Sequence, residues 1–214
     1  MPLVPLTQLL HAARSGTHLI SFPTDTVPAL AVRPDRAALI FAAKQRSQTK
    51  PLILMGGDST DLWPYVKGSE AELALWQQVA EQYWPGALTL VLPASDRLPP
   101  AMNPTDPTTI GIRVPNHPIA RHLLSLTQPL ATTSVNRSGE PPLETLSEIN
   151  QHFPEVLTLH PQELERLEEE LEPESSLQPN NKTPKTSSGV PSTVVKWTGQ
   201  GWEVLRQGGI AWQG

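Results

Sequence analysis

The chain has 214 residues, 24 prolines, no cysteine and a formal net charge of −5. This length suits one domain with a sizeable core, and the absence of cysteine excludes disulfides, thiolate metal sites and cysteine nucleophiles. Residues 162–174 carry seven glutamates and one arginine, so −6 of the charge is local and the remaining +1 excludes a broad cationic surface for nucleic acid.

The N-terminal segment is apolar but has no cationic start, and it contains Pro2 and Pro5, which disfavours a secretory signal. No uninterrupted apolar run approaches the roughly 20 residues that a membrane-spanning helix needs. We therefore expect a cytoplasmic protein with no membrane segment.

Hydrophobic periodicity and turn residues predict strands and helices that alternate along the chain. In chain order we predict a helix over 6–14, a strand over 17–22, a helix over 36–44 capped by Asp35, a strand over 52–55, a helix over 69–84, strands over 88–92 and 109–114, a helix over 118–126, a strand over 129–133, a helix over 144–153, a strand over 156–159, and a hairpin of 192–197 with 202–206. This alternation predicts a single-domain α/β fold, with one open, twisted, mixed sheet and helices packed on it.

Composition divides the chain into three parts. Residues 1–161 form the α/β core, and 162–189 form an insertion that is first acidic and then rich in proline and serine. We expect this insertion to be flexible, with its glutamate-rich half open to helix formation. Residues 190–214 return to the core sheet as a hairpin. Whether the insertion is a lid or a docking segment is left open.

Three cations follow the second predicted helix. Lys44, Arg46 and Lys50 lie where that helix gives way to a strand, so their side chains can converge on a triphosphate. A solvated helix end, whose cations complement the helix dipole, explains the same residues about equally well.

Polar residues also interrupt or follow the buried strands. Arg113 lies on an apolar strand and needs a partner, which is either a substrate carboxylate or a structural ion pair. Thr24 and Thr26 follow one strand, and the Ser134-Val135-Asn136-Arg137-Ser138-Gly139 turn follows another. Local hydrogen bonding in turns also explains these hydroxyls, and for Thr24 and Thr26 the sequence alone favours it over a ligand.

Taken in order, these segments resemble the YrdC-type threonylcarbamoyl-AMP synthase family, also called TsaC. The resemblance runs from about Thr17 to Arg206 and covers the short form of the family, without the extra C-terminal domain. The motifs that carry it are Pro23-Thr24-Asp25-Thr26, Lys44-Gln45-Arg46 with Lys50-Pro51, Trp84-Pro85-Gly86-Ala87-Leu88-Thr89, Thr109-Ile110-Gly111-Ile112-Arg113, Ser134-x-Asn136-x-Ser138-Gly139 and Val204-Leu205-Arg206-Gln207-Gly208. In the family the motif continues after this threonine as Val-Tyr-Gly-Leu, whereas this chain has Val27-Pro28-Ala29-Leu30 after Thr26.

The resemblance implies a synthase that joins L-threonine, bicarbonate and ATP, with Mg²⁺, into threonylcarbamoyl-AMP and releases pyrophosphate. It implies catalytic roles for Lys44, Arg46 and Lys50, ATP contacts from Arg46, Lys50, Thr109, Ser134, Asn136 and Arg206, and L-threonine contacts from Thr26, Arg113, Thr132 and Ser192. It assigns no metal ligand to a protein side chain. The implied partners are downstream proteins that transfer the threonylcarbamoyl group to tRNA, and weak tRNA binding by the chain itself stays open.

Two other functions fit the sequence. The first is a YciO-like paralogue or RNA-binding protein that keeps a nucleotide pocket without efficient synthesis, because a fold does not guarantee an activity. The second, less favoured, is a scaffold that docks through its glutamate-rich segment.

Overall fold

The computed structural model describes residues 3–171 and 187–213. Within these two ranges ten strands form one sheet: β1 Leu3–Val4, β2 Ile20–Phe22, β3 Ala29–Val32, β4 Ile53–Met55, β5 Leu88–Pro93, β6 Thr109–Arg113, β7 Leu130–Ser134, β8 Leu157–Leu159, β9 Thr193–Trp197 and β10 Trp202–Arg206. The α-helices are α1 Leu6–Ser15, α2 Ala38–Lys44, α3 Glu70–Tyr83, α4 Pro118–Thr127, α5 Leu146–His152 and α6 Pro161–Leu171.

The strand order across the sheet is β1-β8-β2-β3-β7-β4-β6-β5-β9-β10. The pairs β1–β8, β8–β2, β4–β6 and β5–β9 are parallel, and the other neighbouring pairs are antiparallel. The predicted open, mixed α/β sheet is therefore confirmed. Its order brings the ends of β6, β7 and β9, which are far apart in sequence, to one region of the fold.

Each face of the sheet has its own hydrophobic cluster, because successive side chains of a strand point to opposite faces. In β3, Leu30 and Val32 belong to the first cluster, whereas Ala29 and Ala31 belong to the second. Helices α2, α3 and α5 supply the first cluster, and helices α1, α4 and α6 supply the second. The domain is thus a sheet between two helical layers.

Local end signals define the helices that the sequence predicts best. Helix α1 ends at Gly16, which adopts a left-handed conformation with φ of 65° and donates its N–H to Ala12 and Ala13 carbonyls. Helix α3 begins with a capping box in which Ser69 and Glu72 bond each other's backbone N–H. The predicted bounds of both helices are confirmed to within one residue.

The predicted cap at Asp35 is wrong. A 3₁₀ turn over Pro34–Arg36 precedes α2, and Ala37 occupies the capping position. The Asp35 carboxylate instead accepts two hydrogen bonds from the Arg33 guanidinium, at 2.6 and 2.8 Å. A bidentate arginine is a stronger partner for a carboxylate than a single backbone N–H.

Two strands, β1 and β3, were not predicted. Strand β1 has two residues and exists through its parallel pairing with β8, a contact that no local pattern reveals. All four residues of β3 are buried, so the period-two alternation that marks a half-buried strand is missing.

The acidic part of the insertion begins as a helix. Helix α6 packs against α4 and buries Leu167, while its glutamates lie mainly on the exposed side. Residues 172–186, on which most of the predicted flexibility falls, lie outside the described residues. Within the described ranges, no helix is both long and apolar enough to cross a membrane.

Candidate active site

A cavity of about 440 Å³ lies on the face of the sheet that carries the second hydrophobic cluster. Ala29 and Met55 belong both to that cluster and to the cavity lining, which shows that the two share one face. Strands β4, β5, β6, β7 and β9 supply the floor of the cavity. Helices therefore cover one part of this face, and the cavity occupies the other part.

Eight of the eleven predicted site residues line this one cavity. They are Thr26, Arg46, Thr109, Arg113, Thr132, Ser134, Ser192 and Arg206. The other three, Lys44, Lys50 and Asn136, do not line it: Lys44 and Asn136 are buried, and Lys50 is exposed. The structure thus brings together residues from β6, β7, β10 and three connecting segments.

Arg113 is the most constrained cation of the site. It is 3% exposed, and its Nη2 donates to Asp25 Oδ1 at 2.6 Å. Its Nη1 donates to Thr26 Oγ1 at 2.9 Å and its Nε to the Gly86 carbonyl at 3.0 Å. Three of its five N–H groups are engaged by residues that the structure describes, which leaves two for a ligand. The structural ion pair and the ligand contact, weighed above as alternatives, are compatible.

Glycine is required at position 86 for this arrangement. A Cβ at Gly86 would lie 2.4 Å from the Tyr83 carbonyl oxygen, closer than real Cβ atoms come to other atoms. The chain can therefore turn here only without a side chain, and the turn aims the Gly86 carbonyl at Arg113.

Hydroxyl groups form a second feature of the lining. Thr24 and Thr26 are 1% exposed, and their hydroxyls lie 3.1 Å apart. The Thr89 and Ser192 hydroxyls lie 2.9 Å apart and join β5 to the start of β9. These pairs satisfy buried hydroxyls inside the fold and leave acceptor capacity toward the cavity.

Arg206 connects β10 to the same place. Its Nη2 and Nε donate to the Ser192 carbonyl at 2.8 and 3.1 Å, and Nη2 reaches Ser192 Oγ at 3.3 Å. Arg46 is held similarly, because its Nε and Nη2 donate to the carbonyls of Lys50 and Pro51 at 3.1 Å. Both guanidinium groups are fixed by backbone oxygens and still face the cavity.

The electrostatics of the lining favour an anion. Among the lining residues that the structure describes, four cationic side chains, Arg46, Arg113, Lys196 and Arg206, accompany one carboxylate, Asp106. Burial lowers the pKa of each of the three arginines, which nevertheless stay charged because guanidinium titrates far above neutral pH. Hydrogen bonds from Thr108 lower the pKa of Asp106 and keep it ionised.

Among the polar lining residues to which the sequence analysis gave no site role are Thr89, Asp106 and Lys196. Thr89 and Lys196 each interrupt an apolar strand, which is the same signal that identified Arg113. Asp106 lies in the loop before β6 and accepts a hydrogen bond from Thr109 at 3.1 Å. Asp106 reaches the cavity through the tertiary fold, and no local sequence pattern predicts this position.

Pro28 and Ala29, which stand where the resemblance implies tyrosine and glycine, also line the cavity. The Pro28 carbonyl accepts from Val135 N at 3.1 Å, and Ala29 pairs with Ser134 across β3 and β7. The lost backbone donor of proline is thus not needed by the sheet, because β3 begins at the next residue.

The chain is similar to known proteins in sequence and in fold. The model of the Sua5, YciO and YrdC family, described as "Telomere recombination", matches residues 12–171. The threonylcarbamoyl-AMP synthase of Chromohalobacter salexigens is 35% identical over 152 residues, covering 69% of this chain and 80% of that protein. The same-named protein of Photobacterium profundum is 32% identical over 158 residues, covering 72% of this chain and 83% of that protein.

Solved structures give the same result. Sua5 of P. abyssi, crystallised with L-threonine, is 28% identical with a TM-score of 0.74, and the match covers 96% of this chain. This chain spans 55% of that longer protein. YciO of E. coli is 22% identical with a TM-score of 0.71, and the match covers 97% of this chain and 92% of the YciO chain. This match shows that the two proteins share a fold. The family match over residues 12–171, together with these relatives, establishes that the chain belongs to the Sua5, YciO and YrdC family.

Proposed function

We propose that this protein synthesises threonylcarbamoyl-AMP from L-threonine, bicarbonate and ATP and releases pyrophosphate. The observation that carries the proposal is the convergence of eight predicted ligand-binding side chains on one cationic cavity. The names of the relatives from C. salexigens and P. profundum support it. The L-threonine complex of P. abyssi Sua5 supports threonine as the amino-acid substrate.

The amino acid would bind near Arg113. Two N–H groups of this arginine are not engaged within the described part of the chain, and a planar fork of donors suits a carboxylate. Thr26, Thr132 and Ser192 line the same cavity as Arg113, and their hydroxyls can contact the amine and side-chain hydroxyl of threonine. Binding here would hold the amine in a fixed position for carboxylation by bicarbonate.

The polyphosphate would bind along Arg46, Lys196 and Arg206. In the reaction, the threonine amine attacks bicarbonate carbon to give a carbamate with loss of water. A carbamate oxygen then attacks the α-phosphorus of ATP, and the bond to the β-phosphate oxygen breaks. Negative charge grows on the departing pyrophosphate, and fixed guanidinium groups stabilise it without having to reorient. The protein would thus act through positioning and charge.

Magnesium would reach this site mainly with ATP. Among residues 3–171 and 187–213, no group of three or more histidine, aspartate or glutamate side chains could hold a metal ion. Mg²⁺ commonly uses one or two carboxylates together with substrate phosphates, and Asp106 in the lining can supply such a carboxylate. When bound, Mg²⁺ would offset phosphate charge.

The product is a mixed carboxylic–phosphoric anhydride, a reactive species that requires a consumer. We therefore propose that a separate protein transfers the threonylcarbamoyl group to tRNA, and that the synthase works with it in the cytoplasm. The cavity has the size of a small-molecule site, and the cationic side chains described above all belong to its lining.

The test is an assay of phosphate release with pyrophosphatase, ATP, bicarbonate and L-threonine. The expected result is threonine-dependent release, with ¹³C from labelled bicarbonate found in threonylcarbamoyl-AMP by mass spectrometry. Arg46→Ala should reduce kcat about 10²–10³-fold, the effect typical of losing one charge-stabilising donor. Arg97→Ala removes an exposed arginine outside the cavity and should leave kcat unchanged.

Two results would contradict the proposal. Phosphate release that does not depend on threonine would indicate a plain ATPase. Nucleotide binding without turnover would instead indicate a YciO-like paralogue.

A further inference from the structure

Lys44 is a fully buried lysine, and contact with the cavity does not explain its burial. It is 0% exposed and does not line the cavity, although Arg46, two residues later, does. Gln45 between them ends α2 in a left-handed conformation with φ of 50°, which turns the two side chains in different directions. Lysine is rarely buried completely unless its ammonium group has partners.

The partners of Lys44 lie at the end of β7. Its Nζ donates to the Ser134 carbonyl oxygen and to Asn136 Oδ1, the latter at 2.8 Å. Asn136 Oδ1 also accepts from Ser134 Oγ at 2.6 Å. Lys44 therefore contacts Ser134 both directly and through Asn136, and Ser134 is the member of this trio that lines the cavity.

Asn136 has no hydrogen-bonding capacity left for a ligand. Its Oδ1 accepts from Lys44 and Ser134, and its Nδ2 donates to the carbonyls of Arg137 at 2.9 Å and Glu140 at 2.6 Å. A side-chain amide has two donors and two acceptor lone pairs, and all four are used. Asn136 thus fixes the turn from inside.

The same turn is tied to the end of α2 by reciprocal bonds. Ser138 N donates to the Lys44 carbonyl at 3.2 Å, and the Arg137 guanidinium donates to the Ala43 carbonyl. These bonds satisfy carbonyls that a helix C-terminus leaves without intrahelical partners. Helix end and turn form one connected polar unit beneath Ser134.

We propose that Lys44 and Asn136 are positioning residues, which hold Ser134 against the nucleotide and do not themselves contact it. This inference rests on the proposed function, and it changes the role of both residues from ligands to supports. It also gives the two cations of the Lys-x-Arg motif different roles, because Arg46 faces the cavity and Lys44 faces the interior.

A charge effect accompanies this geometry. Burial, together with the nearby cations Arg46 and Lys50, lowers the pKa of Lys44 from 10.5 to about 7. Arg137, on the turn that packs against α2, adds a further cation to this region. Polyphosphate in the cavity would favour the protonated lysine, so ATP affinity should weaken as pH rises above 7.

A double-mutant cycle on ATP affinity, measured by calorimetry, tests the proposal. Lys44→Met and Asn136→Ala should each weaken ATP binding about tenfold, and the double variant should be no weaker than either, because both act through Ser134. L-threonine binding should be unchanged, whereas general loosening of the fold would weaken both ligands. Lys44→Met should also flatten the dependence of ATP affinity on pH.

Lys50→Met is the matched control, since it removes a nearby lysine that shares no hydrogen bond with Asn136 within the described structure. Its effect should add to that of Asn136→Ala. Additive losses for Lys44→Met and Asn136→Ala, about a hundredfold together, would overturn the proposal. If Lys44→Met does not fold, Lys44→Gln replaces it in the cycle. If the wild-type protein binds ATP but shows no threonine-dependent turnover, the proposed function is refuted. The double-mutant cycle still decides whether Lys44 and Asn136 act through Ser134, because it measures ATP affinity only.

Discussion

The ion pair between Asp25 and Arg113 allows a quantitative prediction. Both side chains are buried, at 7% and 4% exposed, and the Oδ1–Nη2 distance is 2.6 Å. Asp25→Ala would leave the guanidinium with neutral partners, the Thr26 hydroxyl and the Gly86 carbonyl. These partners satisfy hydrogen bonds but do not neutralise the charge, so the full cost of burying an unpaired cation would appear in stability.

Breaking a buried pair by removing one partner costs about 3–5 kcal/mol. For a chain of this length each kcal/mol lowers Tm by about 2–4 °C, so Asp25→Ala should lower Tm by roughly 6 to 20 °C. The measurements are thermal unfolding and urea denaturation. Asp25→Ala with Arg113→Met should recover much of the loss, because an apolar replacement of both partners removes the unpaired charge.

Asp35→Ala is the matched control for Asp25→Ala. The Arg33–Asp35 pair has the same residue types and the same 2.6 Å separation, but its side chains are 43% and 50% exposed. Solvent screens such a pair, so its loss should lower Tm much less. Equal Tm shifts for the two aspartate variants would refute the reasoning, because burial would then not determine the cost.

Three further predictions concern stability. Leu167→Ala should lower the free energy of unfolding in urea by about 2–5 kcal/mol, because Leu167 is 1% exposed on the buried side of α6. Glu168→Ala, on the exposed side of the same helix, is its control. Ser69→Ala should cost about 1 kcal/mol through loss of the α3 cap, and Ser69→Asp should retain most of the stability. Between pH 7 and 10.5 the unfolded chain binds a proton that folded Lys44 does not, so stability should rise with pH by up to about 1.4 kcal/mol per unit; Lys44→Met should remove this rise.

The elements predicted well from sequence are those with local end signals. The capping box at Ser69 and the left-handed Gly16 act within four residues of the helix ends, so they are visible without the rest of the fold. Strands β1 and β3 lack such signals. Strand β1 is defined by its pairing with β8, and β3 is short and buried on both faces.

The candidate site shows the same division. The family resemblance identified the eight lining residues, because the position of a cation or hydroxyl next to a predicted strand end shows only that the side chain needs either a partner or a ligand. The same signal could not separate a ligand from a support. Lys44 and Arg46 are similar cations two residues apart, and only the direction of each side chain assigns one to the interior and the other to the cavity.

The floor of the cavity also restricts how an amino acid can lie there. The Thr132 hydroxyl donates its one proton to the Ile53 carbonyl at 3.0 Å, so toward the cavity it can only accept a hydrogen bond. A carboxylate has no proton to offer and would be repelled at Thr132, whereas an amine or a hydroxyl would bind. Arg113 presents the opposite preference, because guanidinium donates and never accepts. If threonine is the substrate, its carboxylate must therefore face Arg113 and its amine or hydroxyl must face Thr132. Thr132→Val, which removes the acceptor at nearly constant volume, should then weaken threonine binding while leaving ATP affinity unchanged.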